Sequence, residues 1–509
     1  MGDKRRIVGN TLAMSVAQLF TMATSLVLMP FIVRDFGLSH YGLYMLAISA
    51  SSYATLLDFG VGSSVVKFVS ERRARGEDDR ISLTVSSALA FYMVVGLVAA
   101  LGLVVLALNT QLIFRLTGDE ARLVRNLFFV AAAAALLTWP LSTGYHILGG
   151  IQRYNVIARN LLLGSIFSAA ATISVLVLHE GPVTLLAATS MVTVCVGILN
   201  FTRARKELGA AQLSLGRARR SAMREILTFS WAIFISQVTL VILYQQTDRI
   251  VLGVFAGAAA IGLYEAAGKF QGLISQLTSL ANTSVMPATS QLQAEQRTSA
   301  LESLFMRGTK YVCIVINPIV VLLIVLARPI IIGWLGAEFA PAVTSAQILV
   351  SYQLLSAGTS VGDSMVVGLG KLPKRLPYVI SIAVANLALS IVLVQRYGII
   401  GVVIGTALPW YLEFPSHIWF HVRVIGVSAR RWFRDIVLRT YPILLVPAAL
   451  AWGAMKAGLT SSLIATGFVA LGSLVCYWAL AYLVSLTEGE RAEVKALSAA
   501  VLTTRRRQA

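Results

Sequence analysis

Apolar residues along this chain gather in runs of about 20, and a run of that length is what an α-helix needs to cross the hydrocarbon core of a bilayer. Read this way, the pattern predicts fourteen spans: 10–33, 43–66, 81–108, 126–149, 160–178, 183–202, 228–252, 262–287, 308–333, 343–370, 376–395, 398–421, 436–456 and 460–486. Short polar stretches separate them, and an even number of crossings places both termini on one side. The fold class that follows is an all-α polytopic membrane protein.

Composition agrees with the pattern. Of the 509 residues 57% are hydrophobic and 13% charged, with a mean hydropathy of +0.77. Soluble domains carry about 25% charged residues, and surface-to-volume scaling leaves a soluble core no room for such an apolar excess. A cytosolic enzyme, a secreted module and a disordered chain are excluded. The first apolar run, from Asn10 to Val33, is too long for a signal-peptide core and shows no small-residue cleavage pattern, so it is expected to be a permanent span.

The formal charge of +19 does not call for nucleic acid. If both termini are cytoplasmic, 33 Lys and Arg fall on the inner side and 8 on the outer, the bias of the positive-inside rule. The largest inner block is the 203–225 linker, with Arg203, Arg205, Lys206, Arg217, Arg219, Arg220 and Arg224. Cys195, Cys313 and Cys476 all lie in apolar runs and are expected to be small buried hydrophobes, too few for a disulfide framework or a four-ligand metal site.

The linker also divides two similar halves. Phe36…Gly42-Leu43-Tyr44 returns as Phe255…Gly262-Leu263-Tyr264, Ser64-Val65 as Ser284-Val285, Gly118-Asp119-Glu120 as Gly336-Ala337-Glu338, and Gly144 as Gly362, all at an offset of 218–220. Six spans lie between the copies, so the repeats share one orientation and are related by an axis along the membrane normal. Repeats of this kind place a substrate site near the midplane between them. The organisation expected is a first lobe over 1–215, a second over 216–427, and two extra helices with a basic cytoplasmic tail over 428–509.

Candidate chemistry rests on charges inside spans, which are costly and therefore functional candidates by default. Glu265 and Lys269 stand four apart on span 8, either as an internally neutralised pair or with Lys269 offered to an anionic substrate. The same span carries Gln271, Ser275, Gln276, Ser279, Asn282 and Thr283, too polar for lipid contact, so it is expected to line a hydrated cavity. Asp58 lies in the polar span 2, about 12 Å from its cytoplasmic end, as an ion site or a counter-ion. Asp248-Arg249, beside Gln245 and Gln246, closes span 7, with Arg249 either a phosphate contact or an interfacial snorkel. Asp363 and His146 occupy nearly matching places in the two halves. Glu413, His417 and His421 follow at four-residue steps and read as an interfacial polar stripe rather than a metal site, since nothing in sequence supplies further ligands. Gly262 through Gly268-Lys269 misses a phosphate-binding loop by one residue and lies inside a span. The short outer loops leave little room for catalytic groups, so neither an enzyme nor a bound cofactor is expected.

The segments FG…YGLY, FAG…IGLYEAAGKF, GWLGAEFAPAVTSAQIL and RYGIIGVVIGTAL, set in two six-helix repeats plus two helices, resemble the polysaccharide-repeat (Wzx-type) flippases. These belong to the multidrug/oligosaccharidyl-lipid/polysaccharide exporter superfamily, and the likeness runs over residues 5–425. It implies a V-shaped two-lobe bundle in a bacterial inner membrane. Its cargo would be an undecaprenyl-pyrophosphate-linked oligosaccharide, carried to the periplasmic leaflet by alternating access and driven in some relatives by a cation gradient. On that reading Lys269, Arg249, Gln276 and Asn282 hold the headgroup, while Asp58, Glu265 and Asp363 are the ion-coupling candidates. Glycosyltransferases and a polymerase would be its functional partners. The first lobe departs from symmetry, with Ser49 at the repeat position of Lys269. A drug/cation antiporter of the same superfamily, a lipid II flippase and a membrane enzyme of glycan assembly are the alternatives.

Overall fold

A computed structural model describes residues 2–114, 116, 118–209, 213–244 and 247–492. The basic tail beyond 492, and Gln245 and Gln246, lie outside the described residues. Within them the chain is almost wholly helical and contains no strand. The first six-span repeat runs through α1 (Gly2–Ser52), α2 (Val61–Ala74), α3 (Asp78–Leu108), the short α4 (Thr110–Phe114), α5 (Gly118–Gly150), α6 (Tyr154–Val177) and α7 (Pro182–Leu208). The second runs through α8 (Arg220–Tyr244), α9 (Thr247–Phe255), α10 (Ala258–Asn282), α11 (Val285–Ala294), α12 (Thr298–Val325), α13 (Ala327–Leu335), α14 (Ala342–Ser351), α15 (Gln353–Gly368) and α16 (Leu372–Ile425). Two more follow, α17 (Ala429–Lys456) and α18 (Leu463–Val484).

Nine helices among the described residues are long and apolar enough to cross a membrane. Two of the nine each hold two span-length arms, joined at a non-helical glycine: Gly37 in α1 (φ 74°) and Gly398 in α16 (φ 52°). The three remaining expected spans are also helical where they are described: α8 and α9 for 228–252, the polar α10 for 262–287, and α14 with α15 for 343–370. Span 2 is broken. It passes through a tight 3-10 turn at Tyr53–Asp58, and Phe59 and Gly60 take left-handed conformations before α2 begins. Span 8 breaks at 283–284, close to the corresponding place in the second repeat.

The repeat is written into the turns. Left-handed residues at Gly37, Gly76, Gly118, Gln152, His179 and Gly209 return at Gly257, Gln296, Gly336, Gly370, Gly398 and Gly426, each 217–220 residues later. A positive φ turns the chain out of a helix, a conformation that favours glycine, so six connections of one half are reproduced in the other. The echoed segments also pack on each other. A Cβ at Gly42 would lie 1.9 Å from the Ala258 carbonyl oxygen, and one at Gly262 would lie 2.8 Å from that of Leu38. Only residues without side chains allow the two backbones this approach.

The chain forms two compact units, Met1–Glu265 with Leu387–Val402, and Ala266–Asn386 with Val403–Ala509. The first is centred on α2, α3 and α5 around Val65, Phe68, Val85, Tyr92 and Ile147. In the second, Leu322, Leu326 and Ala451 pack together, with partly buried residues of α18 against them. The cysteines depart from expectation: Cys313 is buried, but Cys195 and Cys476 are exposed. Both sit on apolar helices, where a small hydrophobe is at home on the lipid face as readily as in the interior.

Candidate functional site

Among the described residues, the candidate charged and polar side chains inside the spans fall into four groups, two in each unit. In the first unit the break in span 2 leaves Asp58 at the head of α2. Its Oδ1 accepts the Gly62 amide at 3.3 Å and the Tyr92 hydroxyl at 2.6 Å. A carboxylate at a helix N-terminus is favoured by the unpaired amides there. The Tyr92 ring stacks on His146 at 5.6 Å, and Gly62 gives the imidazole room, since a Cβ there would lie 2.3 Å from His146 Cε1. His146 therefore stands with Asp58. Tyr92 was not singled out in sequence, because a tyrosine within an apolar run gives no signal of its own.

The second group joins the start of α9 to α10. Arg249 donates to Glu265, whose side chain is only 5% exposed. The Tyr264 hydroxyl donates to Asp248, and Tyr53 and Thr247 share a hydrogen bond of 2.9 Å. The pair suggested by the four-residue spacing of Glu265 and Lys269 does not form. A guanidinium 16 residues away takes the carboxylate instead, because it reaches it in a place where an unpaired charge is costly. Arg249, expected at a phosphate, is held by this partner.

In the second unit α10 presents two polar faces. On one, Gln271 Nε2 donates to the Tyr352 hydroxyl at 2.6 Å, and Gln353 Nε2 donates to Ser275 Oγ at 3.1 Å. Tyr352 stacks on Trp410 and sits at the break between α14 and α15. Asn282 shares this packed side and is buried, its Oδ1 without a hydrogen-bond partner. On the other face Lys269, Gly272, Gln276, Ser279 and Thr283 follow at steps of three and four and form one stripe. All five are partly or fully accessible. A Cβ added at Gly268 or Gly272 would meet nothing within 4 Å, so open space flanks Lys269. No ion pair or hydrogen bond joins Lys269 to another described residue. Of the four expected headgroup contacts, Lys269 and Gln276 share the open stripe. Arg249 and Asn282 do not.

The fourth group gathers at Asp363 on α15. Its Oδ1 is met by Arg375 at 2.8 Å and by the Nε2 atoms of His417 and His421, each at 3.0 Å. Both histidines are buried, which corrects the interfacial stripe: α15 brings a carboxylate to them that sequence spacing did not reveal. Glu413 stays apart and accepts from Ser381. Three metal-capable atoms lie within 4.8 Å of one another, yet the carboxylate already carries the Arg375 guanidinium. The arrangement fits an anion neutralised by its own cation better than a metal centre.

The model of the family described as "Polysaccharide biosynthesis protein" matches residues 7–293, more than half of the chain. The chain belongs to that polysaccharide biosynthesis family. Within reach of its sequence is the probable low-salt glycan biosynthesis flippase Agl15 of Haloferax volcanii, 22% identical over 418 residues, 80% of this chain and 82% of that protein. Solved structures with the same fold include the lipid II flippase MurJ in an inward closed conformation, with TM-score 0.71, 15% identity, and coverage of 92% of this chain and 99% of that one. An inward-facing multidrug resistance MATE family transporter of the MOP superfamily gives TM-score 0.64 and 17% identity, over 83% of this chain and 100% of its own. The family member described here is thus a multi-pass membrane protein whose fold is shared with these solved structures.

Proposed function

We propose that this protein flips a lipid-linked oligosaccharide, carried on undecaprenyl pyrophosphate, from the cytoplasmic to the outer leaflet of a bacterial plasma membrane. Its two repeats, lobes 1–215 and 216–427, act as the moving halves of an alternating-access transporter, and both termini lie in the cytoplasm. The family's place in polysaccharide biosynthesis, the flippase name of its archaeal relative and the transporter fold support this reading. A sugar–pyrophosphate head cannot cross hydrocarbon unaided, because stripping water from its charges costs far more than the membrane returns. The protein must supply a wet, cationic surface while the lipid tail stays outside.

The observation that carries the proposal is Lys269: an ammonium without an ion-pair partner among the described residues, on an accessible polar stripe with open space beside it. Lys269 meets the pyrophosphate as a point charge, and Gln276, Ser279 and Thr283 offer hydrogen bonds to the sugars. Asp58 and Asp363 are the coupling candidates, with Tyr92 and His146 beside the one and Arg375, His417 and His421 beside the other. Glycosyltransferases supply the cargo and a polymerase consumes it.

A drug/cation antiporter is the second reading, motivated by the same fold in MATE transporters. It asks for acidic groups free to meet an organic cation. Asp58, Glu265 and Asp363 are each engaged by protein donors, which favours the anionic cargo. Surface glycan in cells that depend on this gene separates the two. Lys269→Gln is expected to abolish export with the protein still in the membrane, and Lys269→Arg to retain part of it. Normal glycan with Lys269→Gln would remove Lys269 from the mechanism.

A further inference from the structure

A second cationic feature lies apart from the Lys269 stripe, at the start of α8. Arg220, Ser221, Arg224, Glu225, Thr228 and Phe229 line a groove of about 900 Å³. They form two adjacent four-residue rows on one helix face and cover about 14 Å of its length. Arg220 and Arg224 are both exposed, and neither has an ion-pair partner among the described residues. Like charges four apart on a helix repel, so this arrangement calls for a counter-ion from outside.

The acidic residue of the groove does not provide one. Both oxygens of Glu225 accept from Arg72 Nη2 at 2.7 Å, and Arg72 is buried. Glu225 stays half-exposed in the groove, but its charge is matched by Arg72, so the two arginines set the groove's net charge. One turn further along, the groove ends at an aromatic ring. Phe229 is 38% exposed, and Lys67 lies over its ring at 4.2 Å. Guanidinium forks at one end and an aromatic face at the other suit a ligand that is a phosphate on an apolar chain. Arg73 at the end of α2 and the basic linker before α8 flank the groove, the charge pattern of a segment beside an anionic membrane surface.

We infer that this groove is a docking site for the diphosphate of a polyprenyl carrier lipid, which Arg220 and Arg224 hold at the membrane surface before the head reaches the Lys269 stripe. The inference rests on the flippase reading and adds a second, separate anion site to it. The charge pattern selects a diphosphate, whose two anionic groups match two forks one helical turn apart. A phospholipid offers a single phosphodiester.

The test is binding of undecaprenyl diphosphate and of phosphatidylglycerol to the full-length protein in nanodiscs of neutral lipid, for wild type, Arg220→Ala/Arg224→Ala and Lys269→Ala. The double variant is expected to bind undecaprenyl diphosphate about tenfold or more weakly, with phosphatidylglycerol nearly unchanged. Arg220→Lys/Arg224→Lys should recover part of the loss. Unchanged diphosphate affinity in the double variant overturns the groove. An equal loss for phosphatidylglycerol also overturns it, in favour of a generic anionic-lipid surface. If the double variant binds normally while Lys269→Ala abolishes glycan export, the groove falls and the flippase stands. If wild type binds no diphosphate at all, both fall.

Discussion

Glu265 decides how Lys269 is read. Taken by Arg249, it leaves the lysine without a partner on an open face. Glu265→Gln removes the charge from the buried Arg249 pair and should cost about 3 kcal/mol or more, as breaking a buried pair does, read as a lower Tm in detergent. An unchanged Tm with Glu265→Gln would show that the Arg249–Glu265 pair does not carry that stability. A second buried pair makes a pH prediction. Lys310 Nζ donates to Glu490 at 2.7 Å, both side chains 6% exposed. Burial pushes the Glu490 carboxyl up, but hydrogen bonds from Lys310 and from the Thr487 amide and hydroxyl outweigh it and hold the group below the usual glutamate range. A depressed pKa means that the pair's contribution is whole above the unfolded value and fades as pH falls through the folded one. Glu490→Gln should destabilise the protein most near neutrality and progressively less in acid. A Tm difference that grows on acidification would reverse the sign. At this scale the sequence made single charges legible, because a charge in an apolar run stands out. Their partners were not, since Arg249 with Glu265 and Asp363 with His417 meet only in three dimensions, and Tyr92 carried no mark at all.

Among the elements, hydropathy found the apolar spans well and the functional ones poorly, for one reason. Spans 2, 8 and 10 carry hydroxyl and amide groups in place of lipid-facing side chains, and helices with such faces are the ones that break: at 53–60, at 283–284 and at Tyr352. A window average reports that a segment is less apolar, and is silent on where its backbone leaves the helix. The repeat was legible from a few echoed residues and is far clearer in its left-handed turns. The close approach at Gly42 and Ala258 gives a prediction at this scale. Gly42→Ala places a Cβ 1.9 Å from a carbonyl oxygen, so it should lower stability by about 2 kcal/mol or more. Gly102→Ala, with nothing within 4 Å, should stay within about 0.5 kcal/mol of wild type. Equal Tm values for the two variants would show that the repeats do not depend on that contact.

For the whole molecule, a like-oriented repeat, a charge bias and a polar stripe all suit the proposed task of moving an anionic sugar head past oil. The composition alone excluded a soluble protein, and the resemblance named the superfamily. Neither identified which faces are wet, because that depends on which polar side chains are consumed by packing. On α10 Gln271 and Ser275 are engaged by hydrogen bonds with Tyr352 and Gln353, whereas Lys269 has no such partner among the described residues. The central claim is tested most directly in proteoliposomes holding a fluorescent pyrophosphate-linked oligosaccharide lipid, by following protection of the label from an external quencher. Wild-type protein should move the lipid between leaflets and Lys269→Gln should not, at equal amounts of folded protein. Equal rates for the two proteins, or wild-type vesicles no faster than protein-free ones, would contradict the account.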